Sequence, residues 1–283
     1  HSRRRAASCA FGVGAAVLLA ACGVPGAKAA STEVEVVRGP VAGSTLVGSW
    51  PEKPKVVPVK APPAPIDPAT GYTVSGSIGP PWPLVSVAAD AIVPRVALYQ
   101  SPGVPVPTGK VLTNPTWEGL PLVFLVRNQQ PGYLQVQFDS RPNGATAWVK
   151  ATDVSLRWVP NHVLIELGAR KVTVFHGDQA IFSAVVAPGK PSSPTPTGSF
   201  FVDGIAKPPN PNGPYGIYQV SFSGFSNVYQ TFGSGVGQVA MHGTNEPMLI
   251  GTYASHGCVR MSNADITQMV NLAPPGTPVD VVA

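Results

Sequence analysis

Between residues 51 and 83 the chain places ten prolines in 33 positions. Each proline fixes its own φ and removes a backbone donor, so no helix runs through the segment and a sheet could use it only at an edge. The expected conformation is an extended, semi-rigid spacer rising roughly 3 Å per residue. The spacer partitions the 283-residue chain. Anything that folds around a core lies after it, and whatever precedes it is held several nanometres away.

What precedes it is an export pattern. Arg3, Arg4 and Arg5 form a charged start, and residues 6–21 carry no charge. That apolar run is shorter than the roughly 20 residues a membrane span needs. It ends Leu19-Ala20-Ala21-Cys22-Gly23, which resembles the lipobox of bacterial lipoproteins. The resemblance implies a signal over 1–21, cleavage before Cys22 and a diacylglyceryl group on the Cys22 sulfur, with 22–87 as the spacer above the membrane. A plain secretory signal and an uncleaved anchor are the competing readings. The formal charge of +5 includes the three signal arginines, so a processed chain carries 5 − 3 = +2. From Asn161 onward five basic residues face six acidic ones, with no basic run of the kind that grips a phosphate backbone. Nucleic acid is therefore not an expected partner.

The part after the spacer reads as mostly β, in two pieces. Over 88–157, short apolar runs at 96–99, 121–126, 133–138 and 147–149 are punctuated by Pro131-Gly132 and Pro142-Asn143-Gly144, the spacing of a small β-barrel. Ala97-Leu98-Tyr99-Gln100-Ser101-Pro102 and the run from Trp148 to Val154 resemble bacterial Src-homology-3-like domains. Two readings of Trp148 stand, a wall-binding platform or a core side chain. Over 161–283, strands are expected at 163–167, 171–176, 179–187, 200–202 and 238–241, with Gly177-Asp178 as a hairpin turn. Ser262-Asn263-Ala264-Asp265 looks like a capped helix start, and Ile266, Met269 and Val270 share one apolar face. Pro274-Pro275-Gly276 stops that helix before a last strand at 279–282. The stretch from Asp203 to Gln238 is rich in Gly, Pro and Asn and holds Tyr215, Tyr218, Phe222 and Phe225, so a long loop is expected there. His162 and His176 sit in strand patterns as ordinary surface or edge residues.

The chemistry concentrates in two short motifs. His242-Gly243-Thr244 is followed, eleven positions after Thr244, by Ser255-His256-Gly257-Cys258-Val259-Arg260. Of three cysteines, Cys9 leaves with the signal and Cys22 takes the lipid, so Cys258 has no disulfide partner. A free thiol is only about 3% thiolate at neutral pH, and nucleophilic use requires a base within reach. A zinc site from His242, His256 and Cys258 is the competing use, but the spacing matches no zinc signature. Neither a metal nor a cofactor is expected.

The order His then Cys and the run Ser-His-Gly-Cys resemble the L,D-transpeptidase (YkuD) catalytic family of bacterial cell-wall enzymes, over 161–283. Thr195-Pro196-Thr197-Gly198-Ser199-Phe200 resembles a further recurring segment. The resemblance implies Cys258 as nucleophile, His242 as base oriented by the Gly243 carbonyl, His256 shaping the site, Ser255 as a substrate contact, and the Gly257 and Cys258 amides as oxyanion donors. It also places a lid over the cysteine in the 203–238 segment, with Tyr218 as a substrate contact, although the segment's aromatics could equally be loop core. Arg260 stands where some relatives have asparagine, and either holds a stem carboxylate or pairs with an acid of its own fold. The implied activity forms an acyl-thioester with a peptidoglycan tetrapeptide stem, releases D-alanine and joins the third residues of two stems. An L,D-carboxypeptidase and a non-catalytic wall-binding lipoprotein are the alternatives. A papain-like peptidase is disfavoured because it places Cys before His. The implied setting is extracytoplasmic, lipid-anchored to the cell membrane and facing the wall, and carbapenems are the implied inhibitors.

Overall fold

The structure is a computed structural model that describes residues 85–283 except 234, together with the backbone of 35–36. The signal, Cys9, Cys22 and nearly all of the spacer lie outside the described residues. A two-residue strand, β1 (Glu35–Val36), pairs antiparallel with a strand of the C-terminal sheet.

The first group of strands is β2 (Ser86–Ala91), β3 (Arg95–Ala97), β4 (Tyr99–Ser101), β5 (Val104–Pro105), β6 (Val111–Thr113), β7 (Val123–Gln130), β8 (Tyr133–Gln137), β9 (Thr146–Lys150) and β10 (Val154–Val159). Seven of them form an antiparallel sheet in the order β10-β2-β7-β8-β9-β4-β5, while β3 and β6 pair with each other. Ala89, Val96, Phe124, Leu134, Val136 and Val149 fill one core. Trp148 is 8% exposed, which favours its structural reading over a binding platform. Strand β8 sits within the run expected at 133–138, whereas β7 shares only 123–126 with the run expected at 121–126 and continues to Gln130. Strands β2 and β10 were not expected. Ser86–Ala91 is half alanine, and its burial comes from being sandwiched between β10 and β7 rather than from its own hydrophobicity.

The second group is β11 (Asn161–Glu166), β12 (Lys171–His176), β13 (Gln179–Val185), β14 (Gly198–Lys207), β15 (Gln219–Phe225), β16 (Gln238–His242), β17 (Val259–Arg260), the helix α1 (Asn263–Leu272) and β18 (Pro278–Val282). Their order is β13-β12-β11-β18-β14-β15-β16-β17. Two pairings, β11 with β18 and β16 with β17, are parallel. Helix α1 starts as its sequence dictates. The Asp265 amide donates to Ser262 Oγ at 3.0 Å, and that hydroxyl donates to Asp265 Oδ2 at 2.6 Å. Asp265 is thus a cap. Ile266, Met269, Val270 and Leu272 are buried on the sheet, within a core shared with Phe200, Val202, Phe222, Met241 and Val259.

Two expectations are corrected here. The 203–238 segment is not one long loop, because β14 extends to Lys207 and β15 is buried along six of its seven residues. Its sequence, Gln-Val-Ser-Phe-Ser-Gly-Phe, hides a central strand behind small polar residues. Those hydroxyls are satisfied internally: Ser221 Oγ donates to Gly204 O at 3.2 Å, and the Phe201 amide donates to Ser223 Oγ at 3.2 Å. Phe222 and Phe225 are therefore core side chains, leaving shorter loops at 208–218 and 226–237. His162 is not a surface residue either. It is 4% exposed, with Nε2 3.0 Å from Asp280 Oδ2 on β18. His176 remains partly exposed at a strand end, with Nδ1 2.7 Å from Asn161 Oδ1.

The two strand groups touch through polar contacts. Gln137 on β8 donates to Ser199 O on β14 at 2.8 Å, and its carbonyl accepts from Arg127 Nε at 3.0 Å. Arg157 on β10 pairs with Asp90 at 2.6 Å and reaches the Pro275 carbonyl.

Candidate active site

The parallel pairing of β16 with β17 brings the two motifs together. Met241 lies opposite Val259, and His242 opposite Arg260. Residues opposite each other in a sheet share a face, and positions two apart on a strand share it too. Carrying the register back one pair sets Cys258 beside Ala240, whose backbone hydrogen-bonds the sulfur. His242, Cys258 and Arg260 therefore meet on one face of the sheet edge. They line one cavity of about 260 Å3, together with Pro214, Tyr215, Tyr229, Phe232, Ser255 and His256.

His242 is 4% exposed. Its Nδ1 lies 2.6 Å from Gly243 O. A carbonyl only accepts, so Nδ1 carries the hydrogen and the Nε2 lone pair is left for proton transfer. The carbonyl is held in place by close packing. A Cβ on Gly243 would come within 2.2 Å of Asn263 Oδ1, and one on Gly216 within 2.6 Å of Gly243, so neither position has room for a side chain. Asn263 Oδ1 also accepts from the Thr244 amide at 3.2 Å, tying this turn to the start of α1. The Tyr215 ring meets the imidazole edge-on at 4.9 Å.

Burial sets the protonation of the pair. It pushes His242 down to about 4, against the pull of its bond to Gly243 and with a further push from the Arg260 charge. Burial also pushes the Cys258 thiol above its ordinary value, opposed by the Ala240 backbone and Arg260. Both groups are accordingly neutral at pH 7. Both shifts favour a thiol and an imidazole over a preformed thiolate–imidazolium pair.

Cys258 is partly buried and is the free cysteine among the described residues. The turn before it is fixed by Ser255, which is 2% exposed: its hydroxyl donates to the Cys258 carbonyl and accepts from the Gly257 amide at 3.0 Å. Gly257 adopts φ +129, a conformation that a residue with a Cβ rarely takes. Its amide is committed to Ser255 in this structure. Arg260 lines the cavity and pairs with Glu246 at 2.7 Å. His256 is exposed at the rim, with Nε2 3.2 Å from Lys190 Nζ and its ring near Phe232 at 5.4 Å and Tyr229 at 6.2 Å. Lys190 and Arg260 both hold His256 below its usual value, after burial. Among the described residues no three His, Cys, Asp or Glu side chains converge as a metal site.

Tyr218 does not line the cavity. It packs on the core with Lys207 5.6 Å above its ring, while Tyr215, three residues earlier, faces the site. Sequence reading also missed Tyr229 and Phe232, whose place at the cavity depends on how the 226–237 loop folds back.

A thiol and a buried imidazole thus share one cavity on a mostly-β fold. Residues 160–281 match the family model of the L,D-transpeptidase catalytic domain, YkuD. The chain is 34% identical over 123 residues to the Bacillus subtilis protein named "Putative L,D-transpeptidase YkuD". That match takes in 44% of this chain and 66% of the relative, so the chain spans just under two thirds of that relative's length. Among solved structures, the catalytic domain of an E. faecium L,D-transpeptidase is 19% identical, with 43% of this chain and 96% of that one covered and a TM-score of 0.32. L,D-transpeptidase 3 from Mycobacterium tuberculosis, in complex with a faropenem-derived adduct, is 15% identical, with 54% and 92% covered and a TM-score of 0.35.

Proposed function

We propose that the protein is a peptidoglycan L,D-transpeptidase tethered outside the cytoplasmic membrane. The observation that carries this reading is the β16–β17 register, which sets His242 and Cys258 on one face of a shared cavity with the histidine's Nε2 left to act as base. Cys258 Sγ attacks the carbonyl that precedes the terminal D-alanine of a tetrapeptide stem as His242 Nε2 takes the thiol proton. The oxyanion accepts from the Cys258 amide, since the Gly257 amide is held by Ser255. The imidazolium then protonates the departing D-alanine amine, leaving an acyl-thioester. The amine on the third residue of a second stem attacks the thioester carbonyl, His242 Nε2 takes its proton, and the C–S bond breaks as that proton returns to Cys258 Sγ. Arg260 offers a fork to a stem carboxylate in competition with Glu246.

The lipobox-like Cys22 and the proline-rich spacer fit a catalytic unit held above the membrane with reach into a thick polymer. Cys22→Ala is expected to release the protein from the membrane fraction, because a chain of net charge near +2 has little else to hold it. A Cys22→Ala protein that stays membrane-bound points to an uncleaved N-terminal helix instead. For the reaction, the full chain is incubated with purified disaccharide-tetrapeptide and the products are weighed. A cross-linked dimer with released D-alanine is the expected result. A tripeptide alone would make the enzyme an L,D-carboxypeptidase, and no product would remove the assignment.

A further inference from the structure

Arg141 and Asn143 lie in the turn between β8 and β9, outside the matched catalytic region. Their side chains nevertheless reach the loop that walls the cavity over Cys258. Arg141 Nη1 donates to Ser226 O at 2.9 Å, and Nη2 donates to Tyr229 O at 2.9 Å and to Val236 O at 3.2 Å. Its guanidinium carbon sits 4.9 Å from the centre of the Phe225 ring. Asn143 pairs with Phe225 in both directions, donating from Nδ2 to the carbonyl at 2.9 Å and accepting from the amide at 2.8 Å. The loop base is closed by the Ser226 amide donating to Gly237 O at 2.8 Å. Gly237 adopts φ +72, and a Cβ there would come within 2.3 Å of Tyr229 O and 3.1 Å of Arg141 Nη2. The space it leaves is the space the guanidinium uses.

We infer that Arg141 and Asn143 are positioning residues for the acyl transfer, holding the 226–237 loop so that Tyr229 and Phe232 form the rim of the cavity against His256. The inference rests on the function proposed above. Three carbonyls converging on one side chain require a planar cation with several donors, which arginine supplies and lysine does not. The contacts fix the start, middle and end of the loop, whereas the loop's own bonds close only its base and tip. Neither residue lines the catalytic cavity, so both act through the loop. On this account the first strand group is part of the catalytic apparatus as well as a spacer or wall-binding unit.

The test is a kinetic series on the full chain. Arg141→Ala is expected to lower kcat/KM for the tetrapeptide by about 10–100-fold, the cost of misplacing a site wall by about an ångström. Arg141→Lys is expected to fall nearly as far, and Asn143→Ala by less. Alkylation of Cys258 by iodoacetamide, a probe too small to need the wall, should stay within about twofold of the parent in all three. Hydrogen exchange at the 226–237 amides should rise in each variant while β14 and β16 stay protected. Full recovery by Arg141→Lys, or unchanged exchange in the loop, would overturn the inference. If Arg141→Ala does not fold, the milder Asn143→Ala decides through exchange and kcat/KM. Exchange does not depend on turnover, so a parent without transpeptidase activity would refute the proposed function while the clamp was still read directly.

Discussion

The cavity over Cys258 and a second cavity beside Trp117 share a wall, the 226–237 loop, and differ in what burial does to the groups inside them. The second encloses about 510 Å3 between the two strand groups and is lined by Glu118, Asp139 and Asp203 among apolar side chains. In the first, burial neutralises a base and an acid: His242 is pushed down and the Cys258 thiol up. Beside the Arg260 cation on the lining, a proton passing between the two groups would create a pair of opposite sign. In the second, burial raises Asp139 and Asp203, Asp203 and Glu118 raise Asp139 further, and Glu118 raises Asp203. The buried acids there share one sign, with Arg141 on the lining and Lys110 pulling Asp139 back. The same desolvation yields reactivity where the partners are complementary and a pH-dependent stability cost where they are alike.

The largest effect that could break this comparison is at the nucleophile. Cys258→Ala is expected to lower stem-peptide turnover by about 103-fold or more, while its thermal midpoint stays close to that of the parent. Asp139→Asn, in the other cavity, should leave turnover nearly unchanged. Residual activity of more than a few per cent in Cys258→Ala would place the chemistry elsewhere. By the family's implied inhibition, intact mass after incubation with a carbapenem should show one adduct in the parent and none in Cys258→Ala.

A smaller effect separates a neutral pair from a preformed ion pair. With the thiol raised and His242 near 4, the rate of Cys258 alkylation by iodoacetamide should climb about tenfold per pH unit between 5 and 8, following the thiolate fraction. A rate already on a plateau at pH 5–6 would mean that thiolate and imidazolium coexist at rest, and the neutral-pair account would fall. The acid limb of kcat/KM should likewise appear only near pH 4, where His242 takes up its proton.

How far the sequence could be read follows the same division. The motifs around His242 and Cys258 were legible because catalysis constrains residue type locally, and Ser262 and Asp265 because a cap is a local bond. Strands β12 and β13 were legible from alternation and a hairpin turn. Strand β15 was not, because its buried hydroxyls find partners on a neighbouring strand that is distant in sequence. Tyr215 and Tyr218 lie three residues apart in one loop, and only its folded path decides which faces the imidazole. Arg141 and Asn143 looked like turn residues, which they are. Nothing local in Arg-Pro-Asn-Gly announces contacts to a loop 82 to 95 residues away.

The smallest effect concerns stability in the second cavity. Asp139 Oδ1 is buried with no hydrogen-bond partner among the described residues, and burial, Asp203 and Glu118 all raise its pKa, with only Lys110 pulling the other way. Its value in the folded protein therefore lies above the ordinary carboxylate value of about 3.9. Such a group contributes stability fully below that ordinary value and loses it as pH rises through the raised one. The parent should lose thermal stability between pH 5 and pH 8 relative to Asp139→Asn, which cannot ionise. The gap between their midpoints should widen by on the order of 5 °C over that range. Asp203→Asn is the poorer probe, because Asp203 accepts from Gln238 and the change would disturb that bond. A gap that stays constant from pH 5 to pH 8 would mean that Asp139 ionises as it does in water. The second cavity would then be wet, and the contrast with the dry pair at His242 and Cys258 would rest on solvent access rather than on the sign of the buried charges.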